Sequence, residues 1–295
     1  MKPPAPKVIL ITGCSSGIGQ ASAERLARRG HVVYATARRP ESVEALRQWA
    51  AATGDNARTG HLDVTEPQTS RDAVARVVAE CGRIDVLINN AGYGQAGAVE
   101  DVALEQWWRQ FEVNLFGTIA LTQMVLPAMR AARSGRIINV SSVVAHVTVP
   151  FMGAYTASKH ALDAVSNALR MEVRRWGVHV VLIEPGPIAT DFRRNVLAHA
   201  DPDTTARHSA YAEAYAVLAG TPTTAHQRAT GSADDVARAI QRAVEARCPR
   251  TRYPVTSIAR WVPRVACVLS DRVIDAVTLR AYRLRRFSRE VKRSK

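Results

Sequence analysis

The stretch Lys7-Val8-Ile9-Leu10-Ile11-Thr12 is an unbroken apolar run, and Gly13-Cys14-Ser15-Ser16-Gly17-Ile18-Gly19 follows it directly. Gln20 to Arg29 then reads as a helix. A short continuous apolar run suits a strand buried on both faces of a parallel sheet. Strand, glycine turn and helix, in that order, are the context that makes a glycine pattern a dinucleotide-site candidate. Glycines let the backbone approach a pyrophosphate, and the helix N-terminus adds amide donors and positive dipole. The spacing Gly13, Gly17, Gly19 departs from G-x-G-x-x-G, so a plain turn is the alternative reading.

The same alternation continues down the chain. His31 to Ala37, Ala57 to Leu62, Ile84 to Ile88, Arg136 to Val140 and Val178 to Ile183 read as strands. Pro40 to Ala52, Pro67 to Glu80, Leu104 to Arg133 (broken at Pro127) and Tyr155 to Trp176 read as helices. Tyr253 to Thr256 is a candidate seventh strand, after a helix over Val236 to Ala246 capped by Ser232. This order predicts an α/β fold with one Rossmann-type, doubly wound parallel sheet of about seven strands flanked by helices. Residues 1–256 form the expected catalytic domain and 257–295 a basic helical extension.

Polar and small residues follow the strands, where ligands bind in such sheets. They are Asp63-Val64, Asn89-Asn90-Ala91-Gly92, Ser141-Ser142 and Pro185-Gly186-Pro187. The second strand ends Ala35-Thr36-Ala37-Arg38-Arg39, without the acidic residue that bonds the ribose of NAD. A guanidinium there suits a 2′-phosphate, which favours NADP(H) over NAD(H). Solvated turn charges are the alternative for Arg38 and Arg39. Asp63 is placed to accept from an adenine amine.

Tyr155-Thr156-Ala157-Ser158-Lys159 lies near the start of a long helix. Residues four apart share a helix face. A fixed positive charge beside a phenol favours phenolate and brings it toward a working proton donor and acceptor. Alone, the pattern also fits an ordinary surface pair. Asn114, within Phe111-Glu112-Val113-Asn114-Leu115-Phe116, is an isolated helix amide of the kind that is usually structural.

Composition narrows the class. The chain has 295 residues, 47% of them hydrophobic, ample for a core. The start is too short and proline-rich for a signal peptide, and no run approaches the ~18 apolar residues of a membrane span. A cytoplasmic location is expected. Cys14, Cys81, Cys248 and Cys267 are far apart, as free thiols are. The eight histidines show no metal-ligand spacing, and His160 reads as a helix-surface residue. The net charge of +14 is concentrated at the end, in Arg280, Arg283, Arg285, Arg286, Arg289, Lys292, Arg293 and Lys295. No nucleic-acid reading motif accompanies it. A helix over 271–286 would place Val273, Ile274, Val277, Ala281 and Leu284 on one face and arginines mostly on the other. That pattern fits peripheral contact with an anionic membrane, or a helix packed on the domain. Trp261, Val262, Val265 and Leu269 add apolar surface that a lid, a second subunit or a bilayer must cover.

Thr12-Gly13-x-x-x-Gly17-x-Gly19, Asp63, Asn89-Asn90-Ala91-Gly92, Asn114, Ser142, Tyr155-x-x-x-Lys159 and Pro185-Gly186 with Thr190 occur in order. With these motifs the chain resembles the classical short-chain dehydrogenase/reductase family. Ser15, Ser16, Ile18, Arg38, Val64 and Ala91 complete the cofactor-binding set that the resemblance implies. Ser142 rather than Ser141 stands thirteen residues before the tyrosine, the family's usual gap. The resemblance implies that Tyr155 exchanges a proton with the substrate oxygen and Ser142 holds that oxygen. It further implies that Lys159 lowers the tyrosine pKa and bonds the nicotinamide ribose, and that Asn114 joins a proton relay through its carbonyl and a water. The implied reaction interconverts an alcohol and a ketone or aldehyde.

Thr12 to Gly19 and Tyr34 to Arg38 look most like the 17β-hydroxysteroid and retinol dehydrogenase branch, which favours lipophilic substrates. A generic ketoreductase fits equally. A substrate lid over 191–232, containing Arg193, Arg194, Tyr211 and Tyr215, and a homodimer or homotetramer are also implied. Val149, Phe151 and Met152 read as a pocket wall or as ordinary packing. The competing functional reading is a non-enzymatic dinucleotide-sensing scaffold.

Overall fold

A computed structural model describes residues 5–54, 56–192, 196, 209–220 and 230–284. Arg193, Arg194, residues 221–229 of the lid and the tail arginines and lysines from 285 onward lie outside the described residues.

Six parallel strands alternate with helices: β1 (Val8–Ile11), β2 (Val32–Ala37), β3 (Ala57–His61), β4 (Val86–Asn89), β5 (Gly135–Val140) and β6 (Val178–Glu184). Two short strands, β7 (Ile188–Ala189) and β8 (Gly231–Ser232), pair separately in parallel. β9 (Arg252–Pro254) joins the main sheet beside β6, giving the order β3-β2-β1-β4-β5-β6-β9. The expected seventh strand is therefore present, and the doubly wound sheet is as the alternation requires. All seven strands are parallel, so their carboxyl ends share one edge.

The crossovers are α1 (Gly17–Arg28), α2 (Pro40–Thr53), α3 (Pro67–Cys81), α4 (Leu104–Phe111), α5 (Gly117–Ala131) and α6 (Gly153–Val173). After β6 come α7 (Ala212–Gly220), α8 (Ala233–Glu245), α9 (Ser257–Ala266) and α10 (Asp271–Ala281). Strand alternation sorts the core into two layers. Ile9 and Ile11 face α1, α2 and α8 through Leu26, Leu46 and Ile240. Val8 and Leu10 face α3, α5 and α6 through Val77, Leu121, Met129 and Val173. α8 starts on a capping box: Ser232 accepts from the Asp235 amide, and Asp235 accepts from the Ser232 amide.

The long helix over 104–133 breaks elsewhere than expected. Its interruption is a π-helical turn at Glu112–Phe116, whereas Pro127 sits within continuous α5. Pro127 and Gln123, one turn earlier, are both exposed. The carbonyl that loses its proline-side donor can therefore turn to solvent, which lowers the penalty for an interior proline.

A polar network crosses the sheet. Asn89 donates to Asn139 Oδ1 at 2.8 Å, and Asn139 donates to Ser166 Oγ at 2.8 Å. This ties β4, β5 and α6 together just below the carboxyl edge. Arg252 performs a similar task at the other side. It bonds Asp163 and Asn167 of α6 and Glu184 of β6. Among the described residues, His146, Asp163 and Glu184 form a cluster with the spacing of a cation site. The Arg252 guanidinium already supplies the positive charge there.

Candidate active site

The glycine turn is held from behind. Thr12 Oγ1 accepts from the amides of Asn90 and Ala91 at 3.1 and 3.0 Å. Asn90 Nδ2 donates to the carbonyls of Thr12 and Gly13, both at 2.9 Å. Gly13 has φ +71°, and a Cβ there would stand 2.8 Å from Ala91 Cα. A Cβ on Gly19 would meet Gly13 O at 2.2 Å. These contacts close the turn against β4 and set the N-terminus of α1 beside it. Ser16 occupies the N-cap position without a side-chain cap, and the first turn carries no acid. The leading amides are thus free of internal anionic partners, as a phosphate site requires.

A cavity of about 1400 Å³ runs along the carboxyl edge. Gly13, Ser15, Ser16, Gly17 and Ile18 line it, as do Arg38, Asp63, Val64, Asn90, Ala91 and Gly92. Ser142, Tyr155, Lys159, Pro185, Gly186 and Thr190 line it further along. The expected residues that do not reach its wall are Thr12, Gly19 and Asn114. Thr12 and Gly19 shape the turn from the far side. Asn114 sits in the π-helical turn, a feature common at functional sites. Its side chain accepts from the Tyr93 amide at 3.1 Å and donates to Tyr93 O at 3.0 Å and Ser158 Oγ at 3.1 Å. The amide group therefore clamps the loop after β4 to α6, which leaves only its backbone carbonyl for a relay.

Arg38 is exposed at the cavity rim, with Nε 3.8 Å from Asp63 Oδ2. Asp63 also accepts from the Thr65 amide and hydroxyl at 3.0 and 2.8 Å. Arg39 and Ser42 line the same end. Two guanidinium-bearing residues beside a glycine turn and an open helix N-terminus make an anion-favouring end. These features fit the phosphates of a dinucleotide.

Ser142, Tyr155 and Lys159 converge at the middle of the cavity. Burial pushes the Tyr155 phenol up to about 12, against a smaller opposite pull from a hydrogen bond with Ser142. Burial also pushes Lys159 down to about 8. Its ammonium donates to Val140 O at 2.8 Å and lies 5.9 Å from the Tyr155 ring centroid. In this cofactor-free arrangement the groups that shift the phenol are its burial and Ser142, and the ammonium is directed at a β5 carbonyl. At neutral pH the phenol is protonated, a hydrogen-bond donor to an oxygen gaining negative charge.

Residues 7–201 match the family model described as short chain dehydrogenase. The chain belongs to the short-chain dehydrogenase family. It is accordingly an oxidoreductase acting on a CH–OH group. It is 41% identical over 191 residues to a 3-ketodihydrosphingosine reductase of Bacteroides thetaiotaomicron, covering 64% of this chain and 67% of the relative. It is 30% identical over 272 residues to an NADPH-dependent 3-dehydrocapnine reductase of Ornithobacterium rhinotracheale, covering 91% and 94%. A solved short-chain dehydrogenase from Streptomyces avermitilis superposes with TM-score 0.73 at 30% identity, covering 97% of this chain and 98% of that one.

Several cavity residues were foreseeable only as apolar surface, and Phe192 not at all. Phe192 packs beside Tyr155 with ring centroids 5.4 Å apart. Phe151, expected as a wall or as packing, does both. It lines the cavity and meets Tyr211 and Tyr215 edge-on at 5.8 and 5.3 Å. Tyr215 donates to Asp101 at 2.7 Å, tying α7 to the loop after β4. Ile258, Trp261, Val262, Val265 and Leu269 also line the cavity, as do Ile274, Val277 and Ala281. Their three- and four-residue spacing was the available signal, and it marks a helix face without saying what the face meets.

Proposed function

We propose that this short-chain dehydrogenase uses NADP(H) to interconvert a lipophilic alcohol with the matching ketone or aldehyde. One observation carries the reading. Ser142, Tyr155 and Lys159 share a single cavity that is cationic and glycine-lined at one end and apolar at the other. The Gly13–Ile18 turn, Arg38, Asp63, Val64, the Asn90–Gly92 stretch, Pro185, Gly186 and Thr190 would hold the dinucleotide, with Arg38 at the 2′-phosphate. When bound, the nicotinamide gives or takes the hydride.

The chain's own groups handle the oxygen and the proton. Ser142 hydrogen-bonds the carbonyl oxygen and orients it toward Tyr155. Tyr155, protonated at neutral pH, donates to that oxygen as charge builds on it. Lys159, held by Val140 O, would return the proton to Tyr155, and a water held by the Asn114 carbonyl would in turn reprotonate Lys159. The apolar wall beyond Tyr155 favours substrates with hydrocarbon surface, which would exclude water from the wall when bound. The relatives named as a 3-ketodihydrosphingosine reductase and an NADPH-dependent 3-dehydrocapnine reductase support reduction of a ketone and, through the second, the same cofactor.

Assembly and location belong to the same proposal. Leu104, Trp108 and Phe116 are large, apolar and exposed along α4 and the π turn, which suits a two-fold subunit contact. Arg272, Arg280 and Arg283 are exposed on the C-terminal segment and suit peripheral contact with an anionic membrane. Among the described residues no helix is long and apolar enough to cross one.

The test is NADPH and NADH oxidation across a panel of apolar and polar ketones, with Arg38→Asp alongside. Turnover of apolar ketones with NADPH is expected. Arg38→Asp is expected to raise KM for NADPH by about 10–100-fold and to leave NADH little changed, since it removes a charge-assisted hydrogen bond. Equal loss with both cofactors contradicts the 2′-phosphate role. Dinucleotide binding without turnover of any ketone or alcohol favours the sensing scaffold instead.

A further inference from the structure

α10 carries apolar side chains yet contains no buried residue. Ile274, Val277 and Ala281 line the cavity, and Val277 is 60% exposed. α9 presents Trp261, Val262 and Val265 to the same cavity, with Trp261 61% exposed. The two helices are nonetheless anchored. Thr256 accepts from the Ala259 amide at 3.1 Å to cap α9, and Ala259 and Leu284 are buried at either end of the pair. Two fixed apolar stripes therefore face open space continuous with Tyr155 and Ser142. Of the apolar stripe expected over 271–286, Ile274, Val277 and Ala281 line this cavity and Leu284 is buried.

Uncovered aliphatic and indole surface loses roughly 25 cal/mol for each Å² left in water. The occupant best placed to cover it is the substrate, because the space opens directly from the reacting groups. Val262, Val265, Ile274, Val277 and Ala281 offer no polar partner and outnumber Thr278 and Tyr282 on this wall, so the covered part of the substrate is mainly hydrocarbon. α10 spans about 16 Å at 1.5 Å per residue. That shape fits an extended chain better than a compact ring system.

We infer that the α9–α10 pair is a chain-binding slot, selecting ketones and alcohols whose unbranched alkyl chain extends from Tyr155 between the two helices. The inference rests on the proposed oxidoreductase reading and names the substrate class of that same site. Val277 and Trp261 are its specificity-determining residues.

The test is kcat/KM for a homologous series of methyl ketones, butanone through octanone to dodecanone, with NADPH and the full chain. Each methylene lying in the slot raises kcat/KM by about fourfold, the rate equivalent of ~0.8 kcal/mol. Val277→Asp is expected to lower kcat/KM for dodecanone about 10–100-fold more than for butanone, because a carboxylate meets the chain. Val268→Asp is the control. Val268 is 78% exposed in the connection between the helices and does not line the cavity, so the series keeps its slope.

No turnover of any ketone would overturn the oxidoreductase reading itself. Turnover without a chain-length slope, or a slope that Val277→Asp leaves intact, overturns the slot. A slope lost equally in Val268→Asp also overturns it, since the pair would then matter only as a folded unit. A steep slope flattened by Val277→Asp alone supports it.

Discussion

Lys159 is 6% exposed and meets one backbone carbonyl, with no carboxylate among the groups that shift it. A lysine so placed destabilises the fold in its charged form. The fall from 10.5 to about 8 corresponds to roughly 3 kcal/mol at ~1.36 kcal/mol per unit. Lys159→Met is therefore expected to raise the thermal midpoint of the cofactor-free protein at pH 7 while removing turnover. The sign follows from proton uptake: between pH 8 and 10.5 the unfolded lysine holds more proton than the folded one. Wild-type stability thus gains on the variant through that window, and the gap closes by its upper end. Thermal melts at pH 7 and near pH 10.5 check this; a variant less stable at pH 7 would contradict it. Tyr155, Ser142 and Lys159 were legible because their chemistry ties residue type to spacing along one chain. Phe192 was not, since an apolar ring beside Tyr155 is visible only once the chain after β7 has folded over α6. Thr12 and Gly19 were legible as part of the motif, but their place behind the turn depends on contacts with Asn90 and Gly13.

At the scale of elements, the β6 carboxyl end, α6 and β9 are joined by one guanidinium. Arg252 bonds Asp163 Oδ2 at 2.8 Å and Asn167 at 3.1 Å, and also bonds Glu184, which is hydrogen-bonded to His146 at 3.0 Å. Asp163 and Glu184 are buried. Arg252→Leu leaves both carboxylates without their main cation, which is strongly destabilising inside a protein. Because the Arg252 side chain is about a third exposed, water screens part of the loss. The expected loss is ~2–3 kcal/mol in urea unfolding; a loss under ~0.5 kcal/mol would mean that the network is ornamental. Strand and helix types were readable from periodicity through β6. β9 carries only three residues, and its membership depends on pairing with β6 rather than on its own pattern. The helix break was misplaced because proline is a strong local signal. The π turn at Glu112–Phe116 has none, and is associated instead with the tertiary clamp from Asn114 to Tyr93.

At the scale of the whole molecule, two core layers leave one carboxyl edge open, and nearly every chemical group lies on it. The sequence order of strands and helices was enough to place that edge, because a parallel sheet admits one connection hand. It was not enough to place α9 and α10 across the cavity, since amphipathic spacing does not identify a partner. The exposed Leu104, Trp108 and Phe116 make a further prediction at this scale. The protein is expected to sediment as a dimer or tetramer, and Trp108→Glu to weaken association by about 30-fold or more, as loss of a central aromatic anchor does. A wild-type monomer at micromolar concentration would contradict the assembly.

In the proposed mechanism Tyr155 carries the proton in an otherwise preformed site. The direct test is Tyr155→Phe, comparing NADPH affinity by fluorescence titration with the single-turnover rate on a long-chain ketone. Affinity within about threefold of wild type is expected, with a rate lowered by about 10²–10⁴-fold, the range of a lost general acid. A rate within tenfold of wild type, with NADPH still bound, would contradict it.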